Sequence, residues 1–173
     1  MQDEKKAIEK ATAEAFLRLY NQKMNTSYRI VEHGDSPDIR CEDTPSNKVN
    51  LEIVLTEAWP GDIAAHLGRA NHRTLEALKT HLRELDAGKG SVFDRVSVLS
   101  GNLMAMVIDR IREKLKKDYG PNTALVVRDT CPADPDWDLV VDEIRHHIDL
   151  SHNPYDKGIW IISHAKGRIF RIL

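Results

Sequence analysis

The stretch PDIRCEDTPSNKVNLEIVLT, residues 37–56, decides the fold class. From Asp38 to Glu42 the residues alternate, with Ile39 and Cys41 on one side and Asp38, Arg40 and Glu42 on the other. Thr44-Pro45-Ser46-Asn47 is a turn cluster. Leu51 to Thr56 then alternates again: Leu51, Ile53 and Leu55 face one way, and Glu52, Val54 and Thr56 the other. Just upstream, Tyr28 to Glu32 is β-rich and stops at His33-Gly34-Asp35. The spacing predicts neighbouring antiparallel strands, with Asp38 and Glu52 each opposite the more apolar face of its strand.

Outward from this meander, Glu4 to Lys23 carries Ala13, Phe16 and Tyr20 at helical spacing, and Glu9 falls on the same stripe. A carboxylate on the inner face of a helix is unusual. Ile63 to Leu85 is helical in composition, and Gly88-Lys89-Gly90 breaks it. A second long helix is expected from Gly101 to Tyr119, with Met104, Ile108, Ile111 and Leu115 inward and Gly120-Pro121 ending it. Ala124-Leu125-Val126-Val127 is a continuous apolar run, the signature of a central strand covered on both faces. Asp136 to Leu150 reads as a short helix, Ile159-Trp160-Ile161-Ile162 as another buried strand, and Ile169 to Leu173 as an edge strand. The expected architecture is α/β: a three-layer mixed β-sheet flanked by helices, in one domain over residues 1–173 with a helical insertion at about 61–90.

A chain of 173 residues is long enough to bury a sizeable core, and a 41% hydrophobic content excludes a disordered one. Lys and Arg number 25 against 27 Asp and Glu, so no bulk basicity draws the chain to nucleic acid or anionic lipid, and such a partner must meet a local patch. Cys41 and Cys131 provide no disulfide framework and suit a reducing compartment. No signal-peptide run and no bilayer-spanning segment stand out, so the expected location is the cytoplasm, with no membrane partner.

Asp38 and Glu52 are the sharpest candidates for chemistry. Two acids leaving adjacent strands on the same side can share one hard cation. Mg²⁺ or Mn²⁺ prefers oxygen ligands, and Mg²⁺ keeps several waters, so these carboxylates and the Ile53 carbonyl suffice. A metal held there lowers the pKa of bound water and neutralises charge developing on a phosphodiester.

Pro37-Asp38 on one strand, Glu52 on the next, and Glu9 on the leading helix resemble the PD-(D/E)XK nuclease superfamily, with its restriction-endonuclease-like fold. The element order is similar too, from about Glu9 to Ile162. The resemblance implies a metal-dependent nuclease that hydrolyses phosphodiester bonds of nucleic acid, DNA favoured, in which Asp38 and Glu52 hold Mg²⁺ or Mn²⁺ and Glu9 assists. The family's lysine, two residues after the strand acid, would fall where this chain has Val54. Lys114, on the flank of the long helix beside Val107 and Ile111, and Arg40, on Asp38's side of its strand, are the available substitutes. Val54 also motivates the alternative, an inactive domain of the same fold acting as a nucleic-acid-binding or protein-assembly module.

Arg40, Arg110 and Lys117 are the candidate nucleic-acid contacts, the latter two from the densest basic cluster at Arg110, Arg112, Lys114, Lys116 and Lys117. His146-His147-Ile148-Asp149 and His152 offer metal-binding side chains, but adjacent helical residues point about 100° apart. They read as a polar helix end whose cations complement the dipole. Asp134, Asp136 and Asp138 lack the glycine turn and distal glutamate of a calcium loop, and Asp136 reads as an N-cap. Trp160, Phe170 and Ile172 near an edge strand suggest a homodimer.

Overall fold

The computed structural model describes residues 2–55, 105, 107–129, 136–163 and 167–173. The chain begins with helix α1 (Gln2–Met24) and then builds a meander of β1 (Arg29–His33), β2 (Ile39–Thr44) and β3 (Asn47–Leu55). Helix α2 (residues 107–115) precedes β4 (Thr123–Asp129), α3 (Trp137–His147), β5 (Ile159–Ser163) and β6 (Arg168–Arg171). The six strands form one sheet in sequence order. β3–β4 and β4–β5 are parallel and the other pairings antiparallel, so the sheet is mixed.

Alternation along the central strands supplies both cores. Leu51, Ile53, Ala124, Val126, Trp160 and Ile162 face α1, where Ala13, Phe16, Leu17 and Tyr20 cover them. Val54, Leu125, Val127, Ile159 and Ile161 face the opposite layer, covered by Val107, Ile108 and Ile111 of α2 and Val140, Val141 and Ile144 of α3. Strand β4 is buried on both faces, which is why its sequence is a continuous apolar run rather than an alternating one. Among the described residues, no helix is long and apolar enough to cross a membrane.

Several boundaries differ from the sequence expectation for identifiable reasons. β3 starts at Asn47 rather than Leu51, because Thr44 pairs with Asn47 across the turn and the ladder runs on from there. The polar Asn47, Lys48 and Asn50 mask that half of the strand, where Val49 alone is buried. The helix expected to reach Tyr119 is helical only to residue 115. The chain then turns through Gly120 at φ +81, whose N–H donates to Asp118 Oδ1 at 2.8 Å. α3 begins after Asp136, whose side chain accepts from the N–H groups of Asp138 and Leu139, as an N-cap does. The helical insertion at about 61–90, Met104, Asp134 and Cys131 lie outside the described residues.

The side chains expected near a dimer edge pack inward. Trp160 is 1% exposed and packs against Phe16 and Tyr20, Ile172 is buried, and Phe170 stacks on Trp137 with centroids 5.4 Å apart. These side chains contribute to the chain's own cores, and β6, the edge strand expected to carry a dimer, pairs on one side with β5.

The C-terminal end closes onto Gly158, which has φ +91 and whose added Cβ would lie 2.4 Å from the Leu173 carbonyl oxygen. Gly158→Ala should cost about 2 kcal/mol from backbone strain alone. That corresponds to a fall of roughly 4–8 °C in thermal midpoint, and an unchanged melt would contradict this account of the closure.

Candidate metal centre

Register brings the two strand acids together. Ile39 of β2 pairs with Leu51 of β3, so the next position outward sets Asp38 opposite Glu52. The loop before Asp38 is closed by the Gly34 N–H donating to the Asp38 carbonyl at 2.9 Å, and the Ser36–Pro37 peptide is cis. A Cβ on Gly34 would meet the Pro37 carbonyl oxygen at 2.9 Å, so this close approach requires glycine. β2 ends before it reaches Ile53, and the Asp38 carboxylate takes its place: Oδ2 accepts from the Ile53 N–H at 2.8 Å. An extended residue directs its N–H and C=O to the same side, so the Ile53 carbonyl lies on the same edge as Asp38.

Both acids are buried, Asp38 to 6% exposure and Glu52 to 3%. Glu52 Oε1 accepts from Lys114 Nζ at 2.5 Å, and Oε2 is buried with no hydrogen-bond partner among the described residues. Burial, then the charge of Glu52, push the Asp38 carboxyl up to about 6, against the Ile53 N–H; Glu9 adds to the rise and Lys114 opposes it. Burial pulls the Lys114 ammonium down, but its hydrogen bond and attraction to Glu52, followed by those to Tyr119, outweigh burial and leave it above its ordinary value. Burial, more than unbalanced charge, is thus what raises Asp38, while Lys114 partly neutralises Glu52.

Lys114 comes from the last turn of α2. Its ammonium donates to Tyr119 Oη at 3.3 Å, and its backbone carbonyl accepts from Tyr155 Oη at 3.0 Å. Tyr119 stacks on Tyr155 with centroids 6.0 Å apart. A cleft of about 530 Å³ opens over the pair, lined by Lys5, Asp38, Glu52, Lys114, Lys117 and Tyr119 among others.

Glu9 is 2% exposed because the periodicity of α1 turns it toward the sheet. It pairs with Lys5 at 2.9 Å and lies 3.4 Å from His33 Nε2, behind the cleft rather than in its wall. Two of the candidate basic residues stand outside the cleft. Arg40 does not turn to Asp38 but pairs with Glu32 of β1 at 2.7 Å, since alternation leaves its side chain exposed. Arg110 pairs with Glu113 at 3.7 Å on the exposed side of α2 and does not line the cleft. Of the candidate nucleic-acid contacts, only Lys117 reaches the cleft wall. Sequence reasoning missed Lys5 and Tyr119. The signals were Lys5 one helical turn before Glu9, and Tyr119 just before the Gly120-Pro121 stop.

The remaining reactive groups stand apart. His146 Nδ1 lies 2.7 Å from the Asp142 carbonyl, His147 lies 3.4 Å from Glu143, and His152 meets Ser151 at 2.9 Å. Burial pushes the Cys41 thiol up to about 12, which leaves it unreactive.

The donor set fits a small hard divalent ion. Among the described residues Glu52 Oε2 has no hydrogen-bond partner, and Asp38, buried beside it, carries a raised pKa, so an oxygen-seeking cation between the acids would meet open lone pairs. Among the described residues, no group of three or more His, Cys, Asp or Glu is arranged to hold a metal. Ligands beyond these two carboxylates would therefore be the Ile53 carbonyl and water, as Mg²⁺ tolerates. No protein-family model matches the chain, and no curated protein or solved structure matches it.

Proposed function

We propose that this protein is a metal-dependent nuclease of the PD-(D/E)XK kind, with DNA the first substrate to test. The observation that carries the reading is the convergence of two buried carboxylates, Asp38 and Glu52, from adjacent strands on one cleft. Mg²⁺ or Mn²⁺ bound there would supply Lewis-acid stabilisation of a phosphodiester and an activated water. Asp38, Glu52 and the Ile53 carbonyl would hold that ion, and the Ile53 N–H donating to Asp38 Oδ2 orients the Asp38 carboxylate beside β3. Lys114 takes the position left by Val54, its ammonium beside Glu52 where it can donate to a phosphate oxygen or orient water. Lys117, and Lys5 beside its partner Glu9, offer at most two phosphate contacts in a wall that also carries Asp35 and Asp118, so binding should weaken only modestly with salt. Glu9 acts from behind, through its charge on Asp38.

The test is purified protein with single- and double-stranded DNA and RNA, in Mg²⁺ or Mn²⁺, beside Asp38→Ala. Cleavage should require both the metal and Asp38. Activity that survives loss of Asp38 overturns the site.

One observation favours a second reading, a non-catalytic module. Lys114 already neutralises Glu52 in part, so the pair can stand as a structural ion pair. Calorimetry showing no Mg²⁺ or Mn²⁺ binding at millimolar concentration would favour the module.

A further inference from the structure

We infer that Lys114 is a resident counter-cation of the Asp38–Glu52 pair, which a divalent ion must displace from Glu52, and that Tyr119 is the positioning residue that retains the displaced ammonium. This rests on the cation site proposed above and adds how that site is regulated.

The geometry has three parts. First, the ammonium already occupies one oxygen of the acid that the ion would need: Nζ is 2.5 Å from Glu52 Oε1, while Oε2 of the same carboxylate has no partner among the described residues. Two cations on one buried carboxylate repel strongly in a site of low dielectric, so full occupancy by a divalent ion and by the ammonium are mutually opposed. Second, the lysine has somewhere to go. The same nitrogen lies 3.3 Å from Tyr119 Oη and 5.6 Å from the centroid of the Tyr119 ring, so the hydroxyl and the ring face both remain attractive once Glu52 is taken. Third, the move is confined to the flexible lysine stem. The Tyr155 hydroxyl pins the Lys114 backbone carbonyl at 3.0 Å, and Tyr155 stacks on Tyr119, so neither the end of the helix nor the acceptor ring needs to shift.

The device makes metal binding an exchange rather than an addition. Without a divalent ion, the ammonium limits the charge excess of a buried acid pair. With one, it is released from Glu52 but held within a side-chain swing of the cleft, facing whatever anion lies there. The exchange sets the metal affinity below what the bare carboxylates would give.

Isothermal titration of Mg²⁺ and Mn²⁺ into the full chain tests this in wild type, Lys114→Met, Lys114→Gln and Tyr119→Phe, with Glu52→Gln as a blank. Both lysine variants should bind metal at least about tenfold more tightly than wild type, because the competing charge is gone. Lys114→Gln retains a donor for Glu52 and covers the case in which Lys114→Met does not fold. Tyr119→Phe should bind metal about three- to tenfold more weakly, the ammonium having lost its second acceptor. Its metal-free thermal midpoint should stay within about 2 °C of wild type, which a purely structural role would not allow together with weaker binding. If wild type binds metal and the lysine variants bind no more tightly, the exchange is overturned while the metal centre stands. If Tyr119→Phe binds as wild type does, the role of Tyr119 is overturned. If neither wild type nor the lysine variants bind metal, the metal centre itself falls and the exchange with it.

Discussion

Asp38→Asn should make the metal-free protein more stable at pH 8 by roughly 2–3 kcal/mol, while lowering the divalent-dependent cleavage proposed above by about a thousandfold. The stability gain follows from the Asp38 carboxyl, which burial and the neighbouring Glu52 raise from 3.8 to about 6. Between those two values the folded chain binds a proton that the unfolded chain has released. Stability therefore falls as pH rises through that window, and above it the full cost of an ionised, buried Asp38 is present. Asparagine cannot ionise, and its side-chain oxygen can still accept the Ile53 N–H that Asp38 Oδ2 accepts at 2.8 Å. Wild type and variant should thus coincide in stability near pH 4 and diverge by pH 7.

Denaturant unfolding across that pH range, in a chelating buffer, measures the effect. Saturating Mg²⁺ should narrow the gap at pH 8, because an ion that binds only the folded state stabilises wild type alone. The thousandfold loss of cleavage corresponds to several kcal/mol of charge stabilisation withdrawn from the reaction. A variant that is less stable than wild type at pH 8, or equally active, would contradict the proposed role of the buried Asp38 in holding a cation.

What the sequence disclosed here, and what it hid, follows from how each feature is encoded. Strand alternation at Ile39 and Cys41, and again at Leu51 and Ile53, is local, so the meander and its inward faces were legible. The apolar run at Ala124–Val127 announced a strand buried on both sides, and the helical stripe of α1 placed Glu9 inward. The approach of Asp38 to the Ile53 N–H depends on β2 stopping short of Ile53, a register fact with no residue signature. The meeting of Lys114 with Glu52 joins residues 62 positions apart, and no periodicity encodes it beyond Lys114's place on the flank of a stripe. Arg40 misled for a related reason. It does share Asp38's side of the strand, but Glu32 on the neighbouring strand offers a nearer carboxylate. Trp160 misled because an aromatic near an edge strand reads the same whether it faces a partner or its own helix. The rings of Phe16 and Tyr20, more than a hundred residues earlier, decide the matter.

Lys114→Leu should destabilise the metal-free protein by about 3 kcal/mol, and the double variant Glu52→Leu with Lys114→Leu should recover most of that loss. Removing the ammonium strands a carboxylate whose side chain is only 4% exposed, beside an Asp38 that already resists ionisation. The cost sits at the lower end for broken buried pairs because the Lys114 side chain is 25% exposed and water can reach the gap it leaves. Removing both charges takes away the stranded group as well. Glu52 sits between Leu51 and Ile53 on β3, and Val54 on its own side packs into the α2–α3 core, so leucine at 52 and 114 extends existing apolar surface. Guanidinium unfolding of the two single variants and the double variant gives the coupling directly, and it should come to about 2 kcal/mol or more. A double variant as unstable as the two single losses added together would mean zero coupling, and the two side chains would then not act as a pair. The expected recovery would mean that hydrocarbon serves stability as well as this ion pair does, as replacing a buried pair by apolar side chains often does.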